Sequence, residues 1–128
     1  MRECIFFPEL ARVVATRRFF IEDSTRYYEV YLWNDKVALQ QYLDKSKQTT
    51  LGLTCNEPRY SHSKRIGEIH FAVGQWDLNI VAHECLHATM NIMRLFSLDY
   101  AQVENEERIC YLHGRLVQAV YQWLFEME

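Results

Sequence analysis

Residues 77–96 read DLNIVAHECLHATMNIMRLF, and this stretch decides how the rest of the chain is interpreted. Its apolar residues recur at helical spacing, and Asp77 is suited to cap a helix that runs to about Phe96. At 100° per residue, one side of this helix carries Val81, Cys85, Ala88, Ile92 and Phe96. The opposite side carries His83, His87, Met90 and Arg94. Since most of the other residues are also apolar, the pattern predicts a helix buried nearly all round, whose polar residues need partners.

Residues 83–87 of this helix have the pattern H-E-x-x-H. Side chains at i and i+4 lie one above the other on a helix, so His83 and His87 can reach a single cation. Glu84 lies beside them, where its carboxylate can take a proton from a metal-bound water. Two neutral histidines and a carboxylate suit zinc and leave a fourth position open for water. The alternative is a histidine pair satisfied by other groups of the protein, but a shared metal removes the cost of burying both, so the sequence predicts one Zn²⁺ per chain.

The third ligand is expected to be a carboxylate or histidine that follows the helix. Residues 104–107 read ENEE and open a second long helical pattern. Glu107 begins a stripe with small residues at Cys110 and Gly114, which let two helix axes approach closely, so Glu107 is the favoured ligand. Glu106 is the alternative, because it lies nearer the aliphatic stripe of that helix. These glutamates are also explained if they only favour the positive end of the helix dipole.

The remaining pattern predicts a small sheet and further helices. Residues 10–33 are typical of two strands joined by a polar turn, and Asn34 or Asp35 can cap a short helix. Residues 51–55 and 66–73 are further strand candidates, and residues 56–64 indicate a loop. The second long helix is expected from about residue 101 to 126, and its main apolar stripe consists of Ile109, Leu112, Leu116 and Val120. The fold class predicted is therefore α+β, with a small antiparallel or mixed sheet packed on the H-E-x-x-H helix and a long C-terminal helix.

Composition limits the function classes. The chain has 128 residues, 49% of them hydrophobic and 24% charged, which fits one domain over residues 1–128 with a real core. Its formal net charge of −3 makes nucleic acid an unexpected partner. No signal peptide or membrane-spanning stretch is recognisable, and none of the four cysteines forms a C-x-x-C pair, so a cytoplasmic protein that does not partner a membrane is predicted.

Residues 66–120 resemble the core of zincin metallopeptidases of the gluzincin type, which place a strand, an H-E-x-x-H helix and a glutamate-bearing helix in that order. Residues 105–114, NEERICYLHG, are also similar to small zincin-like proteins often encoded by bacteriophages. In that alignment Glu107 matches the glutamate of the pattern, Tyr111 an aromatic residue and Gly114 a glycine. The resemblance implies a zinc-dependent hydrolase that acts on a peptide or protein substrate. It also implies that an edge strand binds extended substrate, and residues 66–73 are the analogous segment.

The chain departs from these families at two points. Thermolysin-like enzymes have an aspartate one turn after the ligand glutamate, whereas this chain has Tyr111 there, or Cys110 if Glu106 binds, so the support of the ligands must be built differently. The residue that stabilises the oxyanion is not identified by any motif, and His113, His70 and Tyr100 are the candidates.

The function predicted is a zinc metallopeptidase in which Glu84 is the general base and His83, His87 and Glu107 hold the metal. The histidines are expected to be buried, so that their replacement removes both metal and stability. The alternative is a zinc-stabilised binding or inhibitor protein that keeps the zincin scaffold without turnover. An intact Glu84 favours the enzyme, because a purely structural site has no need of that base.

Overall fold

The computed structural model describes residues 2–3, 12–43, 52–56 and 64–128. Five strands and three helices follow one another within these ranges: β1 (Arg2–Glu3), β2 (Val13–Phe20), β3 (Tyr27–Trp33), α1 (Lys36–Leu43), β4 (Gly52–Asn56), β5 (Arg65–Ala72), α2 (Leu78–Leu95) and α3 (Val103–Met127). The predicted α+β class is confirmed. Each predicted strand and helix is present within a few residues of its expected bounds, and the polar loop predicted after β4 lies largely outside the described residues.

The five strands form one mixed sheet with the order β1-β4-β5-β3-β2. β2 and β3 are an antiparallel hairpin, as the alternating pattern predicts, and the turn between them holds Glu22 at a φ of 51°. β5 lies parallel to β3 on one side and antiparallel to β4 on the other. The prediction that residues 66–73 form an edge strand that binds substrate is therefore wrong, because both backbone edges of this segment are already paired within the sheet.

The two faces of the sheet are covered by different helices. On one face, Ile69 and Phe71 of β5 pack into a core with α2 and α3. On the other face, Trp33 and Tyr31 of β3 pack against α1 in a smaller cluster that includes Leu39. The alternation of side chains along a strand produces this division, since successive residues point to opposite faces.

Helix α2 begins and ends where its sequence signals predict. The carboxylate of Asp77 accepts a hydrogen bond from the backbone N–H of Ile80 at 2.8 Å, and Phe96 is the C-cap. The predicted apolar side is the buried one: Val81, Cys85, Ala88 and Ile92. The opposite side is exposed, however, and carries the two histidines of the motif with Leu86 and Met90. The expectation of a helix buried nearly all round is wrong, because the sheet and one neighbouring helix cover only part of its circumference.

Helix α3 packs beside α2 on the same face of the sheet. Its buried residues include Leu112, Leu116 and Val120 of the predicted stripe. Trp123 contacts the ring of Phe19 on β2, edge to face, with 5.9 Å between ring centroids. This contact extends the core to the outer hairpin. None of the helices in the described ranges is long and apolar enough to cross a membrane.

Candidate metal centre

The two histidines of the motif lie together on the exposed face of α2. The centroids of the His83 and His87 rings are 5.0 Å apart, and the side chain of His83 is 66% exposed. Two imidazoles bound to one tetrahedral zinc ion, with Zn–N bonds of about 2 Å, have ring centroids about 5 Å apart. The observed separation therefore fits two ligands of a single ion. The expectation that these side chains are buried is wrong, and their exposure leaves one side of such an ion accessible to water.

Glu84 points away from the solvent and toward strand β4. It is 100° around the helix from His83, and only 7% of its surface is exposed. Its Oε1 accepts a hydrogen bond from the hydroxyl of Thr54 at 2.8 Å, while its Oε2 lies 4.0 Å from Nε2 of His83. The carboxylate is thus held between the strand and the imidazole edge. Its second oxygen, Oε2, is therefore on the side of the histidine pair.

Cys85, the residue after Glu84, is part of the core. It is fully buried, and burial, with a smaller contribution from the charge of Glu84, raises the pKa of its thiol to about 12. A thiol must be deprotonated to bind a metal, so Cys85 remains neutral and does not compete with the histidines.

The predicted third ligands, Glu106 and Glu107, lie in the first two turns of α3 and are exposed. In the described part of the chain, no group of three or more His, Cys, Asp or Glu side chains is arranged to hold a metal ion. The structure therefore does not bring either glutamate together with the two histidines in a group of three, and the third ligand stays a prediction.

The packing of the helices sets the level at which these glutamates lie. The chains of α2 and α3 run in opposite directions: Ala82 meets His113, and Phe96 meets Arg108. The two glutamates precede His113 by roughly 10 Å along the axis of α3, and His87 follows Ala82 by roughly 8 Å along α2. Measured along the helix axes, Glu106 and Glu107 are therefore within about one helical turn of His87.

The three candidates for oxyanion stabilisation have different surroundings. His113 is half-buried, and its Nε2 lies 3.2 Å from the carbonyl oxygen of Ala82, one residue before the motif. Tyr100 is 74% exposed in the connection between α2 and α3. His70 is fully buried on the α1 side of the sheet, away from α2. His113 thus lies within hydrogen-bond distance of the helix of the motif, and Tyr100 lines a shallow pocket with Met90 and Arg94 of the same helix.

His70 belongs to a buried polar cluster on the α1 side of the sheet. The indole N–H of Trp33 donates to its Nδ1 at 3.0 Å, so the ring proton is on Nε2, which lies 3.2 Å from Glu68. Arg65 donates to the other carboxylate oxygen of Glu68 at 2.8 Å. Burial alone would raise the pKa of Glu68, but the hydrogen bond from His70 and the charge of Arg65, with a smaller contribution from Tyr42, outweigh it and lower that pKa. The cluster is structural, and the sequence signal for it was a charged residue within an apolar strand.

An open apolar groove of about 800 Å³ lies between α2 and α3 beside the motif. Its walls include Leu78 and Ala82 of α2 and Val117, Tyr121 and Phe125 of α3. Since Ala82 directly precedes His83, the groove begins next to the histidine pair. The helical patterns did not predict this groove, because it depends on how the two helices face each other.

Strand β4 contributes to the site in a way that sequence reasoning missed. Thr54 bonds to Glu84 across 30 residues of chain, and no motif or spacing in the sequence connects the two. In comparisons with known proteins, no protein-family model, curated protein or solved structure matches the chain.

Proposed function

We propose that the protein is a zinc-dependent hydrolase and, most specifically, a peptidase. The observation that carries the proposal is the arrangement on α2: two exposed imidazoles at the separation expected for one ion, with the Glu84 carboxylate 4.0 Å from Nε2 of His83. Exposed histidines alone are common. A buried carboxylate directed at the edge of such a pair is what general-base catalysis next to a metal requires.

In this proposal His83 and His87 hold Zn²⁺ together with a glutamate from α3, Glu107 or Glu106. An ion held by these residues would supply Lewis-acid chemistry, which would polarise the scissile carbonyl and make a bound water more acidic. Glu84 takes a proton from the attacking water and then delivers it to the leaving nitrogen.

The groove beside Ala82 supports a peptide substrate with a large apolar side chain near the scissile bond. Its surface is mostly apolar, although His113, Gln118 and Gln122 also line it, and its wall residue Ala82 directly precedes His83 in the chain. Burial of an apolar side chain of leucine or phenylalanine size contributes about 1.5–3 kcal/mol to binding. We expect peptides with such residues to be cleaved in preference to those with charged residues at that position.

The test is elemental analysis of protein purified without added metal, followed by cleavage of a peptide library with and without a chelator. We expect Glu84→Gln to keep its zinc and lose at least about a hundredfold in kcat, the contribution typical of a general base. Glu104→Gln, which changes an exposed acid at the start of α3, is the matched control and is expected to cleave normally. Full activity of Glu84→Gln would contradict the role of the base, and zinc binding without any cleavage would favour the non-catalytic binding protein.

The third ligand is identified by comparing Glu107→Gln with Glu106→Gln. The variant that lacks the true ligand is expected to bind zinc a hundredfold or more weakly, whereas the other variant should bind it nearly as well as the wild type. Competition with a chromophoric chelator measures both affinities. Equal affinity of both variants and the wild type would show that neither glutamate binds the ion.

A further inference from the structure

We propose that Thr54 is a positioning residue for the Glu84 carboxylate, an inference that rests on the proposed hydrolase function. Thr54 lies on β4, is 8% exposed, and its Oγ is 2.8 Å from Oε1 of Glu84. The contact ties one carboxylate oxygen to the sheet and leaves the other, Oε2, on the side of His83.

Burial makes this hydrogen bond important. A carboxylate withdrawn from water is costly unless it is hydrogen-bonded, and a bond to a charged acceptor contributes roughly twice as much as one between neutral groups. Glu84 is 7% exposed, so water replaces the threonine hydroxyl only poorly. Without that donor, the carboxylate is expected to rotate toward the exposed edge of the helix and away from its position beside His83.

The hydroxyl has a choice of acceptor that favours this role. Oγ of Thr54 is also 2.9 Å from the backbone carbonyl oxygen of Glu84, and a hydroxyl has a single proton to donate. An ionised carboxylate is the stronger acceptor of the two. The proton is therefore donated to Oε1 while Glu84 is in the charged form that acts as a base.

A second residue of β4 lies close to the aliphatic part of the Glu84 side chain. Gly52 is two residues before Thr54 and so faces the same side of the strand. A Cβ at Gly52 would lie 3.0 Å from Cγ of Glu84 and 3.2 Å from Cγ2 of Ile80. The strand thus approaches Glu84 closely at Gly52 and bonds its carboxylate at Thr54.

The test compares Thr54→Val, which removes the hydroxyl and keeps the shape, with Thr54→Ser, which keeps the hydroxyl. In the zinc-loaded protein we expect Thr54→Val to lower kcat by about 10–100-fold, the usual cost of losing a supporting group, without a change in KM or zinc affinity. Thr54→Ser is expected to restore most of the lost kcat. Thr89→Val is the matched control, since it also removes a buried hydroxyl, one that donates to the backbone carbonyl oxygen of Cys85 and not to Glu84. It should keep the wild-type kcat.

A wild-type kcat in Thr54→Val would overturn the inference, as would an equal loss in the serine and valine variants. A spectroscopic readout separates this result from failure of the hydrolase proposal. In zinc-free protein, the ¹³C signal of the Glu84 carboxyl group, assigned with Glu84→Gln, is expected to move in Thr54→Val and to stay in place in Thr54→Ser. If the wild type cleaves no peptide, the proposed function falls; an unmoved carboxyl signal removes the positioning role whatever the activity.

Discussion

Replacing His83 by alanine tests the proposed zinc binding separately from folding, because its side chain is 66% exposed. The neighbours of the ring are His87, at 5.0 Å between centroids, and the carboxylate of Glu84 at 4.0 Å. Its removal opens no cavity in the core, so the zinc-free protein is expected to lose less than about 0.5 kcal/mol of unfolding free energy, as for other surface substitutions.

The zinc-dependent part of stability should change far more. A ligand present at a hundred times its Kd stabilises the native state by about 2.7 kcal/mol. In a domain of this size, that corresponds to a rise in Tm of about 10 °C. We expect the wild type to show this rise on addition of zinc and His83→Ala to show almost none, both followed by circular dichroism during heating.

Asn79→Ala is the control for this experiment, because Asn79 is also exposed and lies one turn before His83 on the same face of α2. It should keep the zinc-dependent rise in full. The reasoning is refuted if zinc raises the Tm of His83→Ala as much as that of the wild type. It is equally refuted if the zinc-free variant melts about 10 °C lower, since that would mean the imidazole is part of the core.

Two further predictions concern the fold and are checked by urea denaturation. A Cβ at Gly67 would lie 2.3 Å from Cε1 of Tyr28 and 2.5 Å from the carbonyl oxygen of Cys55, so Gly67→Ala should lower the free energy of unfolding by about 2–3 kcal/mol or more. A Cβ at Gly114 would have no other atom within 4 Å, so Gly114→Ala should instead raise it by up to about 1 kcal/mol. Equal effects of the two variants would contradict this account. The pKa of Glu68 is lower in the folded state than the value of about 4.3 in the unfolded chain, so its carboxylate stabilises the fold above pH 4.3, and this contribution is lost as the pH falls through the folded pKa. The loss of stability below pH 4.3 should therefore be smaller in Glu68→Gln than in the wild type. An identical loss would argue against the hydrogen bonds of Glu68 to His70 and Arg65.

The parts of the molecule that depend on short stretches of chain were predictable. The cap at Asp77 and the apolar stripe of α2 are local, since helical spacing and a capping side chain involve neighbours within one or two turns. The hairpin of β2 and β3 is local for the same reason. The spacing of His83 and His87 also belongs to this class, because i and i+4 residues share a face in any α-helix.

The local pattern predicted which side of α2 is buried, but not that the opposite side is exposed. Its outer side carries Leu86 and Met90 beside the two histidines, and apolar residues on every side suggested burial on every side. Exposure depends on how many elements pack around the helix. In the structure the sheet and α3 leave the outer side uncovered.

By itself, the sequence determined the helix that carries the motif and the residue types that can bind a metal and accept a proton. Only the tertiary structure decided that β5 is internal to the sheet and that β4 reaches Glu84 through Thr54. Strand order and contacts between distant segments arise from the packing of the whole chain. There, the free energy gained from each contact must exceed the entropy cost of closing a long loop. The residue pattern of a single helix or strand contains no information about this difference in free energy.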